Sequence, residues 1–312
     1  MQTDVELIKK ELQKPVGPTV GFLGQFICMP LVAYTVARLG YPHEPFYQLG
    51  AFVIGICPGG SGSNMWTVLF RGDYNLSSTM TFVSNVAANA MMPLWLYTLG
   101  LTLSAGSEDI SIPFSGLLRA LAAMVIPYAA GILLRRARPH WKKHSEVILV
   151  PLTLCSVIFI VSVTVFLNLE LFQLMDYRHL LFPAVVATSG ALLATGLAVA
   201  FQLPMKQVVT IALETAIQNA SIGVVLVDES LPSPDGDMVK VPIMAQFFLT
   251  FIMCAAALIV FESVRRCRLR CAKNRALGEQ TLVGQFRHQD DPNVLLNSEL
   301  EDLKQPLQLE AA

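Results

Sequence analysis

The sequence predicts an all-α polytopic membrane protein of about eight transmembrane crossings, two of them discontinuous, in an inverted-repeat arrangement. Three observations carry that prediction. Of the 312 residues, 54% are hydrophobic and only 14% charged, with a mean hydropathy of +0.54; soluble domains run at about 25% charged, and so few charges cannot cover a water-exposed globule of this size. Six stretches reach the roughly 20 apolar residues that a transmembrane helix needs. Two more are apolar but interrupted about halfway.

Taken in chain order, the segment 1–17 opens with MQTDVELIKKELQK, which is charged and amphipathic without the apolar centre of a cleavable signal peptide. The first uninterrupted crossing is 18–39, with Gln25 in mid-span. Residues 46–57 then run into Pro58-Gly59-Gly60-Ser61-Gly62 before 63–70 resumes the apolar pattern. At 1.5 Å per residue a twelve-residue half reaches only roughly 18 Å, about half a bilayer. The spans 76–101, 113–134, 146–168 and 180–202 are again continuous. A second interruption follows: 206–217 stops at Gln218-Asn219 and 220–227 resumes, before the last continuous span, 241–261.

The connecting segments give an orientation. With the N-terminus inside, the segments 1–17, 71–75, 135–145, 203–206 and 262–312 hold 18 of the 22 Lys and Arg residues. The opposite loops carry Glu44, Glu108, Asp109, Glu170, Asp176, Asp228, Glu229, Asp235 and Asp237. Positive-inside bias therefore places both termini in the cytoplasm. The order of crossings is full, broken, full, two plain helices, then full, broken, full. The first triplet starts inside and the second outside, so they are inverted copies, the layout of secondary transporters whose broken helices meet near the midplane.

Several function classes are excluded by the same reading. A formal net charge of −1 lacks the basic excess that nucleic-acid binding requires. The six cysteines do not form a secreted disulfide framework, four of them lying in apolar stretches, and the five histidines fall in or beside loops rather than in a metal cluster. No nucleophile elbow, zinc-protease or phosphate-loop motif is present, so an enzyme is not expected. Asn75-Leu-Ser77 and Asn219-Ala-Ser221 match the glycosylation pattern, but one is cytoplasmic and the other buried in this topology.

Glu214 is the one carboxylate deep in an apolar helix, QVVTIALETAIQ. An ionised group there costs at least ~2.5–3.5 kcal/mol by insertion scales, so it requires a partner or a cation; the alternative is a protonated Glu hydrogen-bonded to nearby Thr or Asn. Gln218 lies four residues on, on the same helix face. The other interruption offers Ser63 and Asn64, and the next span opens with Ser77 and Thr81 at i, i+4. Neutral oxygen donors with one carboxylate suit a hard cation such as Na⁺. Singly, each hydroxyl more often bonds its own helix backbone; clustered at two interruptions they favour an ion site. Asn85 and Asn89, four apart, read as ligands or as interhelical polar glue, and glue is the better reading.

After the last span, RRCRLRCAKNR reads as a positive-inside anchor, with Cys267 and Cys271 as palmitoylation candidates. The polar tail beyond it is expected to be disordered. Within it, Asp291-Pro-Asn-Val-Leu-Leu296 has the form of a dileucine motif read by a sorting adaptor.

Taken together, Gln25 with Met29-Pro30, CPGGSGSN (57–64), GDYNLSSTMT (72–81), MMPLWLY (91–97) and ETAIQN (214–219) resemble the bile acid:sodium symporter family of secondary transporters, over about residues 7–264. The resemblance implies a core of 18–101 and 179–264 with two crossed broken helices, and a panel of 113–168. The membrane domain would then be 18–264, between a cytoplasmic segment 1–17 and a cytoplasmic tail 265–312. It further implies a first sodium site of Ser63, Asn64, Ser77, Thr81 and Glu214, and a second of Gln25, Glu214 and Gln218 with backbone carbonyls. Na⁺ would be the coupling ion, with no organic cofactor, and an organic anion of the bile acid or sulfated steroid class would move into the cell between core and panel by alternating access.

The chain departs from the family pattern in three respects. It begins where the loop after the family's first helix should lie, so the panel is expected to be incomplete. Gly-Ser-Gly-Ser-Asn also stands where Gly-Asn-Leu-Ser-Asn is common, and Asn85 and Asn89 replace apolar or small residues. The second reading, from another class, is a non-transporting or regulatory membrane protein, such as a shortened isoform with a vestigial sodium site. The expected partners are the organic anion and the lipid bilayer of the plasma membrane, with a homo-oligomer as a further candidate.

Overall fold

A computed structural model describes residues 15–60, 62–104 and 175–289, together with isolated positions 13, 119, 126, 130 and 155; in the last helix side chains are described as far as Cys271. The helices, in chain order, are α1 (Val16–Gly40), α2 (Pro45–Ile56), α3 (Gly62–Leu69), α4 (Tyr74–Leu103), α5 (Tyr177–Ala200), α6 (Met205–Ala216), α7 (Ala220–Ser230) and α8 (Asp235–Gln289). Among the described residues, four helices are long and apolar enough to cross a membrane: α1, α4, α5 and Asp235–Cys271 of α8. They coincide with four of the six continuous spans read from the sequence; 113–134 and 146–168, and with them the panel, lie outside the described residues. So does the dileucine motif at Asp291–Leu296.

Local chemistry sets the helix ends. Pro45 stands in the first turn of α2, where its missing N–H is harmless. Asp73 caps α4 by accepting from the backbone N–H groups of Asn75 and Leu76 at 3.1 and 3.2 Å. Asp176 and His179 form a capping box at the start of α5. Desolvation raises the Asp176 carboxyl, but hydrogen bonds from the Arg178 side chain and from the backbone of Arg178 and His179 together outweigh it and hold the group below its ordinary pKa.

Both interruptions fall where the sequence puts them. α2 ends at Ile56 and α3 opens at Gly62; α6 ends at Ala216 and α7 opens at Ala220. The freed backbone is not left bare. Gly60 N–H donates to Ile217 O at 2.8 Å and Asn219 N–H to Pro58 O at 2.9 Å, an isolated antiparallel bridge between Gly59 and Gln218. Non-helical backbone at membrane depth survives only when such groups are satisfied internally, and here each interruption satisfies the other.

α1 and α4 each contain one π turn, at Gly24–Cys28 and Leu96–Gly100. The first lies just before Pro30, whose missing N–H withdraws the usual partner of Phe26 O. The indole N–H of Trp95 on α4 donates to that oxygen at 2.8 Å, tying α1 to α4. The buried cluster around it joins α1, α2, α4, α7 and α8 through Phe26, Phe52, Ile56, Met92, Ile222 and Ile243.

Close helix approach depends on glycine. A Cβ at Gly50 would run into the backbone carbonyl of Val239 on α8, and one at Gly55 into the Ala33 side chain on α1, whereas nothing lies within 4 Å of a Cβ at Gly196. Gly50→Ala is therefore expected to cost about 3 kcal/mol, the upper end for overpacking, because a backbone carbonyl cannot rotate away. Membrane abundance by immunoblot should fall for Gly50→Ala and stay at wild-type level for Gly196→Ala; equal abundance would contradict this packing.

The chain divides into two compact units, Met1–Ala255 and Ala256–Ala312. The first holds α1 to α7 and the start of α8. In the second, the disorder expected beyond the basic segment 265–275 does not begin there: the helix continues through Arg265 to Gln289. Arg, Leu, Ala, Lys and Glu dominate that stretch and are strong helix formers, and no proline interrupts it before Pro292. Asn85 and Asn89 also differ from expectation. They donate within their own helix, Asn85 to Thr81 O at 2.8 Å and Asn89 to Asn85 O at 3.2 Å, rather than across helices.

Candidate functional site

Glu214 sits two residues before the end of α6 and is 1% exposed. Three hydroxyls converge on its carboxylate from two other helices. Ser63, in the first turn of α3, donates to Oε2 at 2.6 Å; Ser77 of α4 donates to the same oxygen at 3.1 Å; Thr81, one turn on, donates to Oε1 at 2.6 Å. The i, i+4 spacing of Ser77 and Thr81 is what lets one helix face supply two of the three.

Asn64 stands behind these: its Nδ2 donates to Thr81 Oγ1 at 3.2 Å, so the amide orients the hydroxyl that bonds the carboxylate. Thr67, fully buried on α3, plays the same part for Ser77, donating to its Oγ at 3.2 Å. The one signal for Thr67 in the sequence is its position four residues after Ser63, on the same helix face. Space for the carboxylate comes from Gly59, where a Cβ would lie 2.6 Å from Glu214 Oε1.

A second cluster lies at the paired interruptions. Gln25, in the π turn of α1 and 2% exposed, points its Nε2 between the two interruptions. It donates to Cys57 O at the end of α2 and to Gln218 Oε1 just past α6, both at 2.7 Å. Gln218 Nε2 in turn donates to Thr215 O at 2.8 Å. Gln25 Oε1 is buried with no hydrogen-bond partner.

All seven residues singled out from the sequence thus fall into two adjacent sets, Ser63, Asn64, Ser77, Thr81 and Glu214 in one and Gln25 and Gln218 in the other. The sets are not hydrogen-bonded to each other through Glu214. They meet instead at a small cavity lined by Gln25, Phe26, Met80, Ser84 and Glu214 among others.

Chemically the site offers one carboxylate, hydroxyl and amide oxygens, and the carbonyls of two helix ends. Among the described residues no group of three or more His, Cys, Asp and Glu converges, so the donors match a hard cation that prefers oxygen rather than a transition metal. The hydroxyls satisfy the hydrogen-bonding needs of Glu214 but, being neutral, do not balance its charge.

The start of α4 is also tied to α6. The Asp73 backbone N–H donates to Thr210 Oγ1 at 2.7 Å, and Gly72 follows Arg71, a residue at φ 59 that turns the chain out of α3. A Cβ at Gly72 would meet Thr210 Oγ1 at 2.6 Å, so only glycine lets the α3–α4 turn dock there.

Comparison with known proteins adds an independent line. The sequence profile of the Sodium Bile acid symporter family matches residues 1–175, a range that includes Gln25, Ser63, Asn64, Ser77 and Thr81. The chain is 31% identical over 234 residues to the P3 protein of Mus musculus, covering 74% of this chain and 48% of that protein. It is 30% identical over 233 residues to the hepatic sodium/bile acid cotransporter of Rattus norvegicus, covering 72% and 62%. To the sodium-dependent organic anion transporter of Mus musculus it is 39% identical over 140 residues, covering 44% and 36%. The chain therefore spans about half the length of the P3 protein it matches, and less than two thirds of the other two.

Proposed function

The chain belongs to the Sodium Bile acid symporter family, and from that premise we propose that it is a sodium-coupled symporter moving an organic anion of the bile acid or sulfated steroid class into the cell. The observation that carries the reading is Glu214. A buried carboxylate met only by neutral hydroxyls, at the point where two helix interruptions pair, is built to balance a cation. Ser63, Asn64, Ser77, Thr81 and Glu214 hold the first Na⁺. Gln25, Glu214 and Gln218, with carbonyls of the helix ends, hold the second.

The paired interruptions support an inverted-repeat core of 18–101 and 179–264 with the panel at 113–168. Na⁺ neutralises Glu214 and draws oxygens from α3, α4 and α6 toward one point. Filling the site therefore favours one arrangement of the crossing, and the organic anion binds beside it; alternating access follows from switching that arrangement. Two of the relatives carry names that refer to such a substrate: sodium/bile acid cotransporter and sodium-dependent organic anion transporter.

The test is uptake of a labelled bile acid and of a steroid sulfate by cells expressing the chain, in sodium and with sodium replaced by choline. Uptake of either that requires sodium supports the symporter. Uptake that ignores sodium, or none of either despite surface expression, favours the non-transporting reading.

The membrane topology has its own check. The segment 135–145 and the tail after residue 262 hold most of the cationic charge, and positive-inside bias puts both in the cytoplasm of a plasma-membrane protein. An epitope tag after Ala312 should be stained only after permeabilisation. Staining of intact cells would reverse the orientation.

A further inference from the structure

We propose that the side-chain amide of Gln25 is a two-position switch that bridges the crossing when no cation is bound and turns over to bind Na⁺. The proposal rests on the sodium reading above and concerns how the second site is opened and closed.

The tip of Gln25 faces both interruptions. Its Nε2 donates to two oxygens at once, Cys57 O and Gln218 Oε1, each at 2.7 Å, using both hydrogens of the NH₂ group. Those two oxygens belong to the two interruptions, and an amide donor between them holds α2 and the end of α6 together as a cation would. A carboxamide presents NH₂ and O in nearly the same shape. Turned over, the same tip would add a third oxygen to the two already there, an arrangement that repels itself unless a cation lies among them.

The outer end of the amide does not oppose the turn. Gln25 Oε1 is buried with no partner, so nothing is broken there when it leaves. The choice is made at the inner end, by whether the two oxygens need a donor or face Na⁺. Gln218 does not share this freedom. Its Nε2 is committed to Thr215 O at 2.8 Å, so turning it would break that bond. The mobile amide is Gln25, on α1, and the fixed acceptor is Gln218.

The consequence is competition. Na⁺ at the second site and the inward NH₂ group of Gln25 claim the same two oxygens, so the empty crossing is held by the protein's own donor and the filled one by the ion. Apparent sodium affinity is then reduced by the fraction of molecules with the donor inward.

The experiment uses the purified full chain in detergent, with thermal unfolding midpoints measured across a sodium titration at constant ionic strength against potassium; a ligand that binds only the folded state raises the midpoint. Gln25→Glu has no donor to turn inward. It should unfold at lower temperature than wild type without sodium, gain a larger sodium-induced rise, and reach half-saturation at about tenfold lower sodium if the donor-inward form is about 90% populated. Gln25→Met supplies neither donor nor acceptor and should lose both sodium-free stability and part of the sodium response. Gln25→Lys places an ammonium donor at the two oxygens; it should keep sodium-free stability and lose the same part of the sodium response that Gln218→Ala loses.

A merely structural bridge would make the Glu and Met variants behave alike, and that result overturns the switch. So does a Lys variant with the full wild-type response, which also decides the matter should the Glu variant fail to fold. A wild-type protein with no sodium-specific rise would instead strike the sodium reading itself, and is thereby distinguishable from failure of the switch alone.

Discussion

Glu214→Gln is expected to reduce sodium-dependent uptake to background while leaving membrane abundance close to wild type. Glutamine keeps the length and planarity of the side chain, and its Oε1 can still accept from Thr81, which donates to the wild-type carboxylate at 2.6 Å. What it lacks is the formal charge. The remaining groups at this point, Ser63, Ser77 and Thr81, are neutral, and their dipoles alone do not offset the cost of taking Na⁺ out of water. Folding should not suffer, because an ionised carboxylate in an apolar helix costs at least ~2.5–3.5 kcal/mol and the substitution removes that cost. The measurement pairs labelled-substrate uptake in sodium and in choline with surface biotinylation. Uptake at the wild-type level would remove Glu214 from the ion site. A protein that no longer reaches the membrane would show that the carboxylate serves folding through its three hydroxyls.

How much of this was legible in the sequence follows from the range of the forces involved. Spans such as α1 and α5 were readable because an apolar run of bilayer length is a property of local composition. The interruptions were readable because Pro58-Gly59-Gly60 and Gln218-Asn219 stand inside apolar runs, where helix breaking is costly without a purpose. Glu214, Ser63, Ser77 and Thr81 could be chosen because a polar side chain in such a run is rare. Their convergence was implied by the family resemblance and is now visible as hydrogen bonds.

The remainder depends on partners far away in sequence. The π turn at Gly24–Cys28 exists beside a carbonyl that Trp95 satisfies from 69 residues away, and no local pattern encodes that. Asn85 and Asn89 were expected to bond across helices, but a helix carbonyl four residues back is always within reach of an Asn amide, and here it wins. The orientation of the Gln25 amide was equally hidden. Only with Cys57 O, Gln218 Oε1 and Thr215 O in place does the donor end have two acceptors and the acceptor end none.

Asn64→Ala and Gln218→Ala are each expected to raise the sodium concentration for half-maximal effect by about tenfold, with much less change in substrate affinity once sodium is saturating. The two residues serve different clusters. Asn64 orients Thr81 through its 3.2 Å bond and so one donor to Glu214; Gln218 supplies the oxygen that Gln25 reaches at 2.7 Å. A hydrogen bond between neutral groups contributes about 0.5–1.5 kcal/mol, and the upper end of that range corresponds to about a tenfold change in affinity. The clusters are joined by the backbone bonds Gly60 to Ile217 and Asn219 to Pro58, so an ion in either one stiffens the same crossing, beside which the substrate binds. Coupling of this kind is reciprocal: whatever factor sodium gives to substrate affinity, substrate must return to sodium affinity. Substrate binding measured at several sodium concentrations in wild type and both variants tests this directly. Saturating sodium should refill the weakened site and restore near-normal substrate affinity, whereas a lesion in the substrate surface would persist at any sodium concentration. Substrate that binds equally well in potassium alone, unchanged by either substitution, would mean that the two clusters only brace the paired interruptions, and the symporter reading would fall with them.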